Sequence, residues 1–303
     1  MFIRLIVGLL ASAFLIAAYL GLPLEEIQAY LFLLILVTVG IPHGALDHKI
    51  VFTNESYRKR DKIKFYVTYV ILMLVTGLCW FINAQWSFIL FLFISAFHFG
   101  QSQFYYVNLK GILAGLLYFS WGVVLLSSII WLNLGECIDF FLSLPQLKAE
   151  TFITPTIIGS SVVVSFILFA GVVSYALIKR KMSLKALCYE LLSLFIIIGL
   201  AAKTTAVMAF IIYFGLWHSL ISLSLEYKHL RGKNANYNLW AFTKELLPHS
   251  TIAILFMAVF YWYSFRYDWA ISPYMLFIIL ISIITVPHLF VMGRMYNSFR
   301  LPS

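Results

Sequence analysis

Ten runs of about 20 predominantly apolar residues follow one another along this chain, each long enough to cross the hydrocarbon core of a bilayer. They cover roughly 2–20, 27–52, 63–82, 86–107, 111–133, 155–178, 184–202, 205–227, 247–264 and 271–293. Of the 303 residues, 63% are apolar and 11% charged, too few polar groups to coat a soluble domain of this length. The expected fold is therefore all-α: a polytopic integral membrane bundle of about ten transmembrane helices, forming one domain over 1–303. The longest polar connection, 134–154, still contains Ile138, Phe140 and Phe141 and is expected to lie along the interface. Met1 to Leu20, with Arg4 before an apolar stretch, has the outline of a signal peptide. Because further apolar segments follow it, a retained first helix is the better reading.

The net charge of +9 does not point to nucleic acid, because the basic residues sit in short pieces between the apolar runs. They report orientation instead. With the N-terminus in the cytoplasm and ten alternating helices, all 21 Lys and Arg residues face inward except Lys148, Lys203 and Arg266. A wrong helix count would scramble this bias, so both termini are expected in the cytoplasm, with the protein in the cell's inner (plasma) membrane. The cysteines, Cys79, Cys137 and Cys188, are far apart and form no CxxC, which argues against a disulfide framework or a zinc site.

Most of the seven histidines fall inside apolar segments. His229 and His249 lie at the cytoplasmic ends of the eighth and ninth segments, and His48 near that of the second. His43, His98, His218 and His288 lie deeper, on the second, fourth, eighth and tenth segments, all running outside to inside. At 1.5 Å per residue their depths agree to within about 7 Å, which tilt and side-chain length can absorb. One imidazole in a membrane is readily a core residue bonded to a neighbouring hydroxyl or carbonyl. Four at one level point to a shared site, since ionisable groups inside membranes face the bundle interior and mark function. Imidazole suits iron, copper, zinc or nickel, so the ligand type alone does not set the metal.

The surroundings of His43 read Gly40-Ile41-Pro42-His43-Gly44-Ala45-Leu46-Asp47-His48. Pro42 has no N–H for the carbonyl of Thr38, which predicts a kink. Gly40 and Gly44 leave room for close approach to the backbone. Asp47 lies four residues after His43, on the same helical face, and would accept its second ring N–H. The alternative pairs Asp47 with Lys49 or Lys64 near the cytoplasmic surface. Gln101, three residues after His98, is a candidate supporting group, and Pro287-His288 repeats the proline-before-histidine arrangement. Glu190 is a further buried acid with no role that its neighbours suggest.

The stretch Pro42-His43-Gly44-Ala45-Leu46-Asp47-His48, with His98-Phe99-Gly100 and Trp217-His218-Ser219, resembles the Brp/Blh family of membrane β-carotene dioxygenases over nearly the whole chain. The resemblance implies a non-haem iron(II) (Fe2+) enzyme that uses O2 to cut β-carotene at its central double bond into two all-trans retinal molecules. It implies a rhodopsin as the consumer of retinal, and His43, His98 and His218 as iron ligands. Some relatives carry another histidine four residues after the third-site histidine, where this chain has Ser222. His288 is the choice for fourth ligand on depth and helix direction, with His48 in reserve. Substrate would enter sideways from the lipid. Two rival classes remain: a haem-binding membrane cytochrome, and a transporter using the histidines as a proton relay.

Overall fold

A computed structural model describes residues 2–52, 57–142, 153–267 and 273–299. Among them all regular structure is helical. The helices are α1 (Phe2–Tyr19), α2 (Leu24–Ile35), α3 (Asp47–Val51), α4 (Lys59–Ile82), α5 (Ala84–Gln103), α6 (Gly111–Leu132) and α7 (Leu134–Leu142). They continue with α8 (Pro155–Ile178), α9 (Leu184–Lys203), α10 (Ala206–Ile212), α11 (Ile221–Lys233), α12 (Leu239–Arg266) and α13 (Pro273–Ser298). Each of the ten expected segments falls on one of these helices or on a continuous pair. Eight stretches are long and apolar enough to cross a membrane by length and composition. Helix α1 falls short on length, and α5, which carries His98 and Gln101, is not one of the eight. The connection expected at 134–154 holds α7, and its 143–152 part, with Lys148, lies outside the described residues, as does Arg300.

Short polar residues fix where several helices begin. Asn83, Thr154, Ser183, Thr205 and Asn238 each accept a hydrogen bond from a backbone N–H in the first turn of the following helix. Each satisfies a donor that the helix itself leaves open. The Asn238 cap also explains why α12 starts well before the apolar run expected at 247: its first two turns are amphiphilic.

Burial ranks the helices. The Ala206–Lys233 stretch has 78% of its apolar window buried, against 6% for Lys59–Ile82 and 11% for Leu239–Arg266. The α10–α11 stretch is therefore the central post, and α4 and α12 stand at the periphery with Leu74, Phe81 and Phe256 facing outward. Between α5 and α6 the backbones touch. A methyl group at Gly100 would sit 1.9 Å from the Tyr118 carbonyl oxygen, and one at Gly122 would sit 1.8 Å from that of Ala96. No larger residue fits at either point, and the contact pins α5 at the turn after His98.

Glu190 acquires a structural role. Wholly buried on α9, it accepts from Arg4 of α1 at 3.1 Å, from Tyr106 at 2.9 Å and from Gln103 of α5. The carboxylate ties three parts of the chain together through charge-assisted bonds, the condition under which a buried charge is tolerated.

Candidate metal centre

Local breaks in two helices create the site. The stretch expected as one helix over 27–52 runs as α-helix to Ile35, as π-helix over Leu36–Gly40 and as a single 3-10 turn over Pro42–Gly44 before α3 resumes at Asp47. Pro42 supplies the cause, since it lacks the N–H that would continue the ladder. The stretch containing His218 is likewise wound as a π-helix over Tyr213–Leu220. The two wide-turn segments pack against each other. Such bulges recur at functional sites because the extra residue per turn re-aims a side chain.

The result is a ring of imidazoles. Centroid separations are 5.0 Å for His43–His218, 4.8 Å for His218–His98, 5.2 Å for His98–His288 and 5.0 Å for His288–His43. All four residues are buried, with relative exposures from 1% to 6%. The depth argument from sequence is thus matched by proximity in space.

Three of the rings are held by their Nδ1 atoms. His43 Nδ1 donates to the carbonyl of Gly40. His288 Nδ1 donates to both oxygens of Asp47, at 2.9 and 3.0 Å. Ser102 Oγ gives its proton to the Phe99 carbonyl, so its lone pair is left to accept from His218 Nδ1 at 3.1 Å. Each arrangement places the proton on Nδ1 and leaves Nε2 with a free lone pair, the tautomer a metal ligand needs. His288 Nε2 and both nitrogens of His98 are buried with no hydrogen-bond partner. A buried imidazole nitrogen without a partner is costly unless something else fills that role.

These features fit a divalent metal ion. With metal–nitrogen bonds of about 2.1 Å, imidazole centroids lie about 3.2 Å from the ion, so neighbouring rings are spaced by about 4.6–5.3 Å. The four observed separations fall in that range. Among the described residues no three His, Cys, Asp or Glu side chains already converge as a closed ligand set. The fit rests on the spacing of the four rings and on their enclosure.

Several expected partnerships are redistributed. Asp47 does not support His43, because the 3-10 turn breaks the four-residue register between them. It supports His288 instead, and also accepts from Tyr69 of α4 at 2.9 Å. Lys49 pairs with Glu245, not with Asp47. Gln101 lies beside His98, yet outside hydrogen-bond geometry, since both His98 nitrogens and Gln101 Oε1 are without partners. Ser222 is buried and bonded to the Tyr296 hydroxyl at 3.0 Å. His48 lies apart from the ring, its centroid 4.7 Å from that of His249. Gly44 faces the His288 ring, where a methyl group would come within 3.6 Å of Nδ1. Sequence reading missed Ser102 and Tyr69. Ser102 was findable, four residues after His98 on the same helix, whereas nothing in the sequence links Tyr69 to Asp47.

A cleft of about 190 Å3 opens between α4, α5 and α13, and none of the four histidines lines it. Its lining reaches Ile94, one turn before His98, and Val286, two residues before His288. Val75 and Leu90 at its margin are about half exposed.

A family model described as Beta-carotene 15,15'-dioxygenase matches residues 34–296. A Beta-carotene 15,15'-dioxygenase from Uncultured marine bacterium 66A03 is 38% identical over 74 residues, 24% of this chain and 27% of the relative. The chain therefore spans about a quarter of the length of the curated relative it matches. No solved structure matches.

Proposed function

The chain belongs to the beta-carotene 15,15'-dioxygenase family, and on that premise we propose that it cleaves β-carotene with O2 at the central double bond, giving two molecules of all-trans retinal. The reaction balances without help: the central C=C bond breaks, each carbon gains one oxygen atom, and no proton or outside electron pair is consumed. A protein doing this work needs a site that binds O2 in a dry, apolar setting and holds the polyene still beside it. It needs no dedicated acid–base pair.

The observation that carries the reading is the ring of four buried imidazoles in a chain of this family. His43, His98, His218 and His288 would hold non-haem Fe2+, which when bound supplies a cationic centre able to take up O2. Gly40, Asp47 and Ser102 fix the tautomer of three rings. Asp47 also adds negative charge behind His288, which makes that ring a stronger donor. Phe99 and Phe214, whose centroids lie 4.8 and 5.7 Å from that of His218, keep water from its sides.

β-Carotene would be delivered by the bilayer itself, through the cleft between α4, α5 and α13, which is lined by Ile94 and Val286 of the helices that carry His98 and His288. Ten membrane crossings, both ends in the cytoplasm and residence in the inner membrane belong to the same proposal, as does a rhodopsin as the user of retinal.

The test is expression in a β-carotene-accumulating bacterial host, with retinal quantified by chromatography beside a His98→Ala control. Retinal from the unaltered protein alone is the expected result. No retinal from folded, iron-loaded protein would overturn the reading.

A further inference from the structure

On the face of α11 that follows His218 stands an acid the proposed reaction does not use. Glu226 is wholly buried, and neither carboxylate oxygen has a hydrogen-bond partner. No Lys or Arg among the described residues pairs with it; Arg231 lies over the Tyr227 ring instead, and Lys228 is exposed. Three residues on, His229 is half-buried, with its Nδ1 near Ser298 Oγ at 3.3 Å and its Nε2 enclosed without a partner. Two positions three apart on a helix share a face. Here, then, one face carries three unsatisfied donor atoms, two carboxylate oxygens and one imidazole nitrogen, below the histidine ring. An unpaired carboxylate at such depth is costly and usually marks function.

We propose that Glu226 and His229 form a second divalent-cation site on the cytoplasmic side of the four-histidine ring, from which the ring is loaded. The Glu-x-x-His spacing is one that helix bundles use to present a carboxylate and an imidazole to the same ion. Mixed oxygen and nitrogen donors suit Mn2+, Fe2+ or Zn2+. With only two protein ligands on that face, water would complete the coordination and the ion would exchange readily, as a loading site requires.

The position fits the task. Glu226 lies eight residues beyond His218, about 12 Å along the helix axis, and His229 about 4–5 Å further. Glu226 is also within electrostatic reach of Asp47, the carboxylate that holds His288. A cation leaving His229 therefore meets one acid, then a second, then the ring. The loading role rests on the ring being a metal centre, whereas the binding site itself does not.

The experiment uses the full chain in lipid nanodiscs. Holoprotein is titrated with Mn2+, and bound Mn2+ is read by electron paramagnetic resonance while tightly held metal is counted by elemental analysis. The unaltered protein should take up one exchangeable Mn2+ beyond its tight metal. Glu226→Gln and His229→Asn should each lose the exchangeable ion and keep the tight one. His98→Ala should lose the tight metal and keep the exchangeable Mn2+. Undiminished Mn2+ binding in both Glu226→Gln and His229→Asn would overturn the site. After chelator stripping, Fe2+ uptake by Glu226→Gln should be slower than by the unaltered protein and reach the same final content. Equal uptake rates would overturn the loading role. A tight metal that survives in His98→Ala would count against the four-histidine centre alone, so the two failures are distinguishable.

Discussion

Asp47 shows at residue scale how one side chain serves two elements. It accepts from His288 Nδ1 through both oxygens and from the Tyr69 hydroxyl, while nearly inaccessible itself. Replacing it with asparagine keeps the shape, removes the charge and leaves the tautomer of His288 unforced. Asp47→Asn should weaken metal affinity by about 10–100-fold, measured by competition with a calibrated chelator. Tyr69→Phe removes one hydrogen bond to the carboxylate and should cost about 1.5–3 kcal/mol of stability, read as a lower unfolding temperature. The proximity of the four histidines was legible in the sequence because depth can be counted along helices whose expected directions alternate. The pairing of Asp47 was not, because it depends on where the helix stops being an α-helix. Four-residue spacing pointed to His43, and the 3-10 turn at Pro42–Gly44 turned the carboxylate toward α13 instead.

At the scale of elements, membrane helices were readable from hydropathy because a bilayer demands runs of about 20 apolar residues with every backbone group satisfied internally. Irregular winding was only half readable. Pro42 announced a break, yet nothing in Tyr213–Leu220 announces the π-helix that aims His218. Helix contacts were less legible still: Gly100 and Gly122 are two glycines in separate segments, and only packing shows their backbones meeting. Gly100→Ala forces α5 away from α6 and should cost about 3 kcal/mol, the upper end for an overpacked site, or more. A lower unfolding temperature together with reduced metal retention is expected, since His98 sits on the displaced turn. Unchanged melting would show that the helices can separate there without loss.

For the whole molecule, the ordering of burial matters more than any single contact. The most buried stretch, Ala206–Lys233, carries His218 and borders the stretches bearing His43 and His98, while the least buried helix, α4, forms one wall of the lateral cleft. That arrangement keeps the polar ring away from lipid, and under the proposed function the cleft would be the side entrance for a lipid-borne substrate. Ile94→Trp fills the cleft from its α5 wall, and under the proposed function should lower β-carotene turnover severely while leaving metal content unchanged. Parallel assays of retinal and of bound metal would separate those effects. The overall charge pattern, legible in sequence alone, predicts that a fluorescent reporter fused after Ser303 lights up in the cytoplasm. A periplasmic enzyme reporter active at that site would instead reverse the orientation.

The most direct measurement is the metal content of the purified protein, with nitrogen ligation read by X-ray absorption at the iron edge, beside His98→Ala and His288→Ala. About one iron per chain, bound by imidazole nitrogens and lost in both variants, is the expected result. Full iron content in either variant would contradict the four-histidine centre.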